Sequence, residues 1–263
     1  GAYGHDFTFG EMKWLARWLI VRGCNLLYPH AFYYSVRGPR VDERPPDVGP
    51  NSPWWGEFGP FADETSALCW INTDSVHVCS LAILGLPNHL PWASAKTCFQ
   101  HQYDFNYLEA RHLWEDAHLT KEGLVIGSMC YRGLIVETEI PPGAREMIAT
   151  LEGEGRIIRP LESHTEMDLL DRIAGLTDPD VRIDPPCRDI RVRHVKKDGV
   201  HCYLLFNEGA VAHSVDIAFA APGRRLIVDT TTGDTRALPD GSSLLVHGYQ
   251  MIVVVVDSGD QLP

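Results

Sequence analysis

Basic residues are scarce in this chain: 23 Lys and Arg stand against 35 Asp and Glu, giving a net charge of −12 and a pI of about 5.4. Phosphate backbones and anionic headgroups repel such a surface, which excludes nucleic acid and membrane surfaces as partners. Neutral ligands such as sugars are untouched by that argument. No apolar run approaches the ~20 residues needed to cross a bilayer. The opening GAYGHDFTFG has no Met, no basic stretch and no apolar stretch, so no secretory leader is read there. A first residue other than Met fits a processed chain or a piece of a longer one.

Chemical signatures are missing as well. The seven cysteines (24, 69, 79, 98, 130, 187 and 202) are odd in number and never spaced CxxC, which excludes a zinc knuckle or a disulfide framework. Buried free thiols are expected instead. No Walker loop and no GxGxxG occurs, so no nucleotide cofactor is expected. His77, His89, His101, His112 and His118 are not in HExxH or carboxylate-paired spacing, and structural or surface roles are expected for them. No cofactor or metal is implied.

What is present is a core. Hydrophobic residues make up 44% and charged residues 22%, the balance of a globular protein. The 263 residues exceed one typical domain and predict two or three units.

The first unit, residues 1–75, reads as helix, strand, loop and helix. Met12, Leu15, Ala16, Leu19 and Ile20 share one helical face over Glu11–Arg22, and Gly23 stops it. NLLYPHAFYYS, Asn25–Ser35, reads as a strand and its exit. Arg37–Pro53 is dense in proline and reads as a long surface loop, a kind that is usually functional. Trp54 through Ala62, Leu68 and Ile71 reads as another helix. The second unit, 76–180, alternates: strands at HVCSLAILG, YDFNYLEA, Tyr131–Glu137 and RIIRP, and helices at Pro91–Gln102, Pro142–Glu152 and Glu166–Ala174. That rhythm predicts a parallel sheet covered on both faces, flavodoxin-like or glutaminase-like. The third unit, 181–263, has short strands (DIRVRHV, GVHCYLLFNEG, HSVDIAFA, RRLIVDT, HGYQMIVVVV) broken by turn clusters at Thr232–Thr235 and Pro239–Gly241. It predicts an antiparallel β-sandwich. The fold class is thus α/β followed by all-β.

The densest candidate site is Tyr28–Ser35 together with Asn51–Trp55. Sugars present C–H faces that pack on aromatic rings and hydroxyls that need donors and acceptors. His30, Tyr33, Tyr34, Asn51, Trp54 and Trp55 offer both, and His30 sits where a strand would end. A satisfied histidine amid ordinary aromatic packing is the competing reading. Glycosidases need two carboxylates about the scissile bond. The nearby acids are Asp6, Glu11, Asp42, Glu43, Asp47 and Glu57; Glu11 is placed to cap a helix, the loop acids read as solvated, and no pair stands out. The layered unit raises a Cys/His amidohydrolase, but Glu137 and Thr138 stand where its nucleophile would be and no GxCxG or GxSxG occurs.

The segments GAYGHDFTFGEMKWLARWLIVRGCNLLYPHAFYYS, PPDVGPNSPWW, HVCSLAILGLPNHLPW and YDFNYLEARHLWED together resemble the C-terminal half of large bacterial glycoside hydrolases of the rhamnosidase and β-galactosidase type. The resemblance runs along most of the chain and is weakest over the last eighty or so residues. It implies the end of a (β/α)8 barrel, then a layered α/β domain, then a terminal β-sandwich. Gly1–Gly4 would follow the seventh barrel strand, Asn25–Tyr34 would be the eighth, and Trp54–Asn72 the last barrel helix. His30, Tyr33, Tyr34, Asn51 and Trp55 would line one wall of the sugar site. Both catalytic Glu residues would precede Gly1, so the chain would need a missing N-terminal barrel portion. Unpaired barrel edges in residues 1–75 would make it associate, with homo-oligomers one outcome. A noncatalytic carbohydrate-binding or scaffold module is the second reading, and a glutaminase-like amidohydrolase the third.

Overall fold

The computed structural model of the protein describes residues 6–42, 46–160 and 165–257. The Gly1–Gly4 loop and Glu43 lie outside the described residues.

Helix α1 spans Phe9–Ile20. Thr8 Oγ1 accepts from Glu11 N at 3.2 Å, and Glu11 Oε2 accepts from Thr8 N at 2.7 Å. This reciprocal capping box uses Glu11 as the sequence implies, and it starts the helix upstream of the apolar pattern. Asn25–Ser35 forms no strand, which corrects the expectation. A strand exists only where a neighbour completes its ladder, and here Ala31 bonds instead to the proline-rich loop, through Pro46 O at 3.3 Å and Val48 N at 2.9 Å. One 3₁₀ turn, Trp55–Glu57, then leads into α2, Phe58–Asn72. With no strand among the described residues before Val76, the expected open sheet edge is not there. What is exposed is side-chain surface, with Leu26 at 78% and Tyr28 at 92%.

The middle of the chain runs β1 Val76–His77, β2 Leu81–Gly85, α3 Ala93–Gln100, β3 Phe105–Glu109, α4 His112–Glu115, β4 His118–Leu119, β5 Leu124–Ile126, β6 Met129–Tyr131, β7 Gly133–Ile135, α5 Arg145–Gly153, β8 Ile157–Ile158 and α6 Glu166–Ala174. Strands β3-β2-β7-β8 form one parallel sheet in that order. Its pleat sends Ala82, Leu84 and Leu134 into one apolar cluster with Leu113, Ile148 and Leu151. Leu81, Ile83 and Ile135 enter a second cluster with Ala95, Cys98, Leu169 and Ile173. Both faces are therefore covered, which explains an unbroken apolar run in β2.

Two expected strands come out differently. HVCSLAILG splits, because β1 leaves to pair with a distant strand while β2 joins the parallel sheet. Tyr131 belongs to the small antiparallel β4-β5-β6 sheet rather than to the strand after it. Strands of two or three residues are too short to show a period-2 pattern.

The last part comprises β9 Val181–Asp184, β10 Ile190–Lys197, β11 Val200–Asn207, β12 His213–Phe219, β13 Arg224–Val228, β14 Thr235–Ala237, β15 Ser243–Val246 and β16 Met251–Asp257. They form a six-stranded sheet, β1-β10-β11-β16-β13-β14, and a three-stranded sheet, β15-β12-β9. Residues alternate along β16: Ile252, Val254 and Val256 pack with Val215, Phe219 and Leu244 of the smaller sheet. Val253 instead packs with Ile20, Leu68 and Ile71 of α1 and α2. The MIVVVVD run is apolar throughout because the central strand is covered twice.

Polar clamps hold the helices on the sheet. Asn72 Nδ2 donates to Ile20 O (2.9 Å) and Cys24 O (3.0 Å) while its Oδ1 accepts from Arg193 Nε at 2.9 Å. Glu208 takes Arg22 at 2.6 Å and Arg191 at 2.9 Å. Asn207, fully buried, donates to Val211 O, Val246 O and His247 O and accepts from Gly209 N at 3.0 Å. Asn207→Ala strands those groups and is expected to cost about 3 kcal/mol. Urea unfolding should show a lower midpoint at an unchanged slope.

Candidate functional site

Besides the Ala31 backbone bonds, one carboxylate ties the proline-rich loop to the Asn25–Ser35 segment. Asp47 is only 6% exposed, which corrects its reading as a solvated loop charge. Its Oδ1 accepts from Gly49 N at 2.7 Å and from Tyr33 N at 3.4 Å, and its Oδ2 from Asn51 Nδ2 at 2.6 Å. The same Asn51 Nδ2 lies 2.9 Å from Tyr33 O. Three donors converge on Asp47 because an ionised carboxylate inside protein must be hydrogen-bonded. Gly49 is required here: a Cβ would stand 2.8 Å from the Phe32 ring and 3.0 Å from Asp47 Oδ1.

Aromatic rings brace the loop from beneath. Trp55 stacks on Phe58 at 5.1 Å, Phe32 meets both edge-on at 5.8 and 5.4 Å, and Phe9 reaches Trp54 at 5.4 Å. Trp55 is therefore as much a packing residue as a surface one, with 39% of it exposed.

Two hollows flank this arrangement. One, of about 380 Å³, is lined by Phe7, Val36, Trp54, Asp47, Asn51 and Ser52, among others. Ser52 Oγ is buried there without a hydrogen-bond partner. The other, of about 210 Å³, is apolar and lined by Met12, Leu15, Leu19, Leu27, Tyr28 and His30, among others. The five expected site residues are thus divided. Tyr33 and Asn51 meet at Asp47, Trp55 sits in the ring cluster, His30 lines the apolar hollow, and Tyr34 is fully exposed. Ser52 and Asp47 were missed as site residues; the PNSPWW stretch marks the place but not the burial.

The acids near the loop do not make an acid/base pair. Asp47 is engaged by three donors, and Glu11 is held in its capping box, where the Thr8 backbone and hydroxyl keep its carboxyl below the usual range. Asp6, Asp42 and Glu57 are exposed. In the layered part, Glu137 follows β7, where an amidohydrolase would carry its nucleophile. Burial raises its carboxyl above the usual range against the donation of Ser94 N at 3.1 Å. A carboxyl held on the first turn of α3 is no thiol nucleophile.

His77 is not a surface residue. Its Nε2 lies 2.5 Å from Asp104 Oδ2 and its Nδ1 2.8 Å from Asn106 Oδ1. Burial works against its charge, yet Asp104 outweighs that and carries its pKa to about 10. His101 and His112 pair with Glu166 and Asp116. Among the described residues no group of three or more His, Cys, Asp or Glu side chains is arranged to hold a metal ion, and no helix is long and apolar enough to cross a membrane. The seven cysteines are free; Cys69, Cys98, Cys187 and Cys202 are buried, and Cys24, Cys79 and Cys130 half-buried.

No protein-family model and no curated protein matches the sequence. Solved structures do match. A rhamnosidase from Novosphingobium sp. PP1Y superposes with a TM-score of 0.67 at 14% identity, over 98% of this chain and 31% of its own. A β-galactosidase from Bacillus circulans sp. alkalophilus gives 0.65 at 12% identity, over 94% and 52%. A GH42 β-galactosidase from G. stearothermophilus gives 0.61 at 8%, over 95% and 51%. This chain thus spans 31% to 52% of the length of these three chains. Over nearly all its length the protein shares the fold of one part of large glycoside hydrolases of the rhamnosidase and β-galactosidase kind.

Proposed function

We propose that the protein is the C-terminal part of a large glycoside hydrolase. It supplies one wall of the sugar site, and the catalytic carboxylates lie in the preceding part of the enzyme. In this reading residues 1–75 close a (β/α)8 barrel, 76–180 form a flavodoxin-like layered domain and 181–263 a β-sandwich. The substrate is a carbohydrate, bound by Tyr33, Asn51, Ser52 and the rings about Trp54 and Trp55, with His30 and Tyr34 at the margin.

The observation that carries this reading is the hollow beside Asp47. Apolar and aromatic walls with a few convergent polar groups are what a small-ligand site needs, and Ser52, one of the lining residues, has a hydroxyl closed off from solvent and without a partner among the described residues. A buried hydroxyl left unpaired costs free energy, and a sugar hydroxyl that reached it as the hollow filled would offset that cost. The partly open apolar surface at Leu15, Leu19, Leu26 and Tyr28 supports a neighbouring barrel portion.

Ser52→Ala separates this from ordinary loop packing. Carbohydrate affinity should fall about 5- to 10-fold, the worth of one hydrogen bond, while thermal stability stays equal or rises. Titration of a glycan and aryl-glycoside panel against the longer enzyme gives the affinity, and calorimetry the stability. An unchanged affinity for every ligand bound would count against the hollow as the sugar site. The engaged state of Asp47 and Glu11 favours, as second reading, a module that binds sugar without cleaving it. Hydrolysis of the panel by the longer enzyme decides between the two.

A further inference from the structure

Cys79 stands apart from the other cysteines by its neighbours. It lies between β1 and β2, half-buried, with Sγ 3.6 Å from His77 Nδ1 and 3.8 Å from Leu81 O. His77 is oriented on its far side by Asp104 at 2.5 Å and beside the sulfur by Asn106 Oδ1, whose amide nitrogen in turn donates to Tyr131 Oη at 3.0 Å. Both ring nitrogens thus have acceptors, which is the hydrogen-bonding pattern of an imidazolium. The elevated pKa of about 10 agrees with that pattern. Arg193 of β10 is a second cation within electrostatic reach of Cys79, of Asp104 and of Cys24. Asp104, the carboxylate in contact with His77, is engaged by the imidazole. Cys79 also lines a surface cavity of about 260 Å³, together with Tyr103, Asp104, Arg132, Asp178 and Asp180.

A thiol reacts as its thiolate, and neighbouring cations stabilise that negative charge. Here an imidazolium held by a carboxylate sits beside the sulfur of a half-buried residue that lines the cavity. Nucleophile, histidine and orienting acid follow the order of an activated thiol. We propose that Cys79 is a reactive thiol, and that this cavity is a modification site for small soft electrophiles, hydrogen peroxide above all. The sulfur attacks one peroxide oxygen, the O–O bond breaks, and the departing hydroxide takes a proton from solvent to leave as water. Cys79 becomes a sulfenic acid, oxidised by two electrons as the peroxide is reduced by two, and an added thiol returns it through a mixed disulfide.

Cys24 and Cys130 are internal controls. Both are half-buried, and Cys24 shares Arg193 but has no histidine contact of this kind. In the folded wild-type protein at pH 7, iodoacetamide followed by peptide mass mapping should label Cys79 at least tenfold faster than either. Hydrogen peroxide with dimedone should give its adduct first at Cys79. In folded His77→Gln, labelling of Cys79 should drop to the Cys130 rate. Labelling of wild-type Cys79 no faster than Cys24 and Cys130 would overturn the proposal, as would fast labelling that a folded His77→Gln leaves unchanged. Should His77→Gln not fold, the wild-type ranking decides alone.

Discussion

Asp104→Ala is expected to lower the stability of the protein by about 3 to 5 kcal/mol, because it removes the partner that holds the proton of a buried histidine. Both partners of the His77–Asp104 pair have side chains only 9% exposed, and their nitrogen and oxygen lie 2.5 Å apart. Without Asp104, burial drives the imidazole to its neutral form, and the stabilisation from the charged pair and its hydrogen bond is lost. The position magnifies the effect, since His77 pairs with Val195 of the six-stranded sheet while Asp104 leads into β3 of the parallel one. A loosened pair therefore weakens the tie between the two sheets.

The same pair has a pH signature with a definite sign. The His77 pKa is raised in the fold, from 6.5 to about 10, with burial opposing and Asp104 prevailing. A raised folded pKa means the folded state holds its proton longer than the unfolded chain does. The stabilisation is fully present below about pH 6.5 and is lost as pH climbs toward 10, by up to about 1.4 kcal/mol per pH unit. Urea unfolding of wild type between pH 6.5 and 9 should show falling stability, and His77→Gln should lack that component. Parallel profiles for the two proteins would refute the assignment.

Asp47→Ala is the second substitution with a large expected effect, and it acts on the candidate site. It removes the acceptor of Gly49 N, Tyr33 N and Asn51 Nδ2 at once. A cost of about 2 to 4 kcal/mol follows from leaving buried donors unmade. The tie between the loop and the Asn25–Ser35 segment is then left to the Ala31 backbone bonds and the Asn51–Tyr33 bond, and carbohydrate affinity of the longer enzyme should fall more than tenfold. Asp47→Asn should be milder, since an amide oxygen still accepts from Gly49 and Tyr33 while its NH₂ faces the Asn51 NH₂. Amide hydrogen exchange at Gly49 and Tyr33 reads the loss directly. Wild-type protection in Asp47→Ala would show that the carboxylate does not hold the loop.

How much of this was legible beforehand depends on the length of each signal. The capping residue Glu11, the rhythm of the parallel sheet and the MIVVVV strand are local or periodic, and a single stretch of chain carries each of them. Asp47 looks like any loop acid in DERPPDVGP, since its donors Tyr33 N, Gly49 N and Asn51 Nδ2 gather only in the fold. His77 sits in no motif, because its partner Asp104 is distant in sequence and arrives only when β2 and β3 pair. Ser52 carries no sign that its hydroxyl will end buried and unpartnered.

By itself the sequence determined the class of the protein: acidic, α/β followed by all-β, without nucleotide or nucleophile motifs. Composition, period and turn chemistry act within a dozen residues and need no partner to be read. Only the tertiary structure decided which segments became strands. Asn25–Ser35 has the residues of a strand but, among the described residues, only the Ala31 bonds to the proline-rich loop and no strand beside it, whereas the two residues of β1 are a strand because β10 lies beside them. It also decided which charges are buried, since desolvation and pairing arise where distant segments meet. Asp47, His77 and Asp104 owe their chemistry to that meeting, and the hollow beside Ser52 owes it its shape.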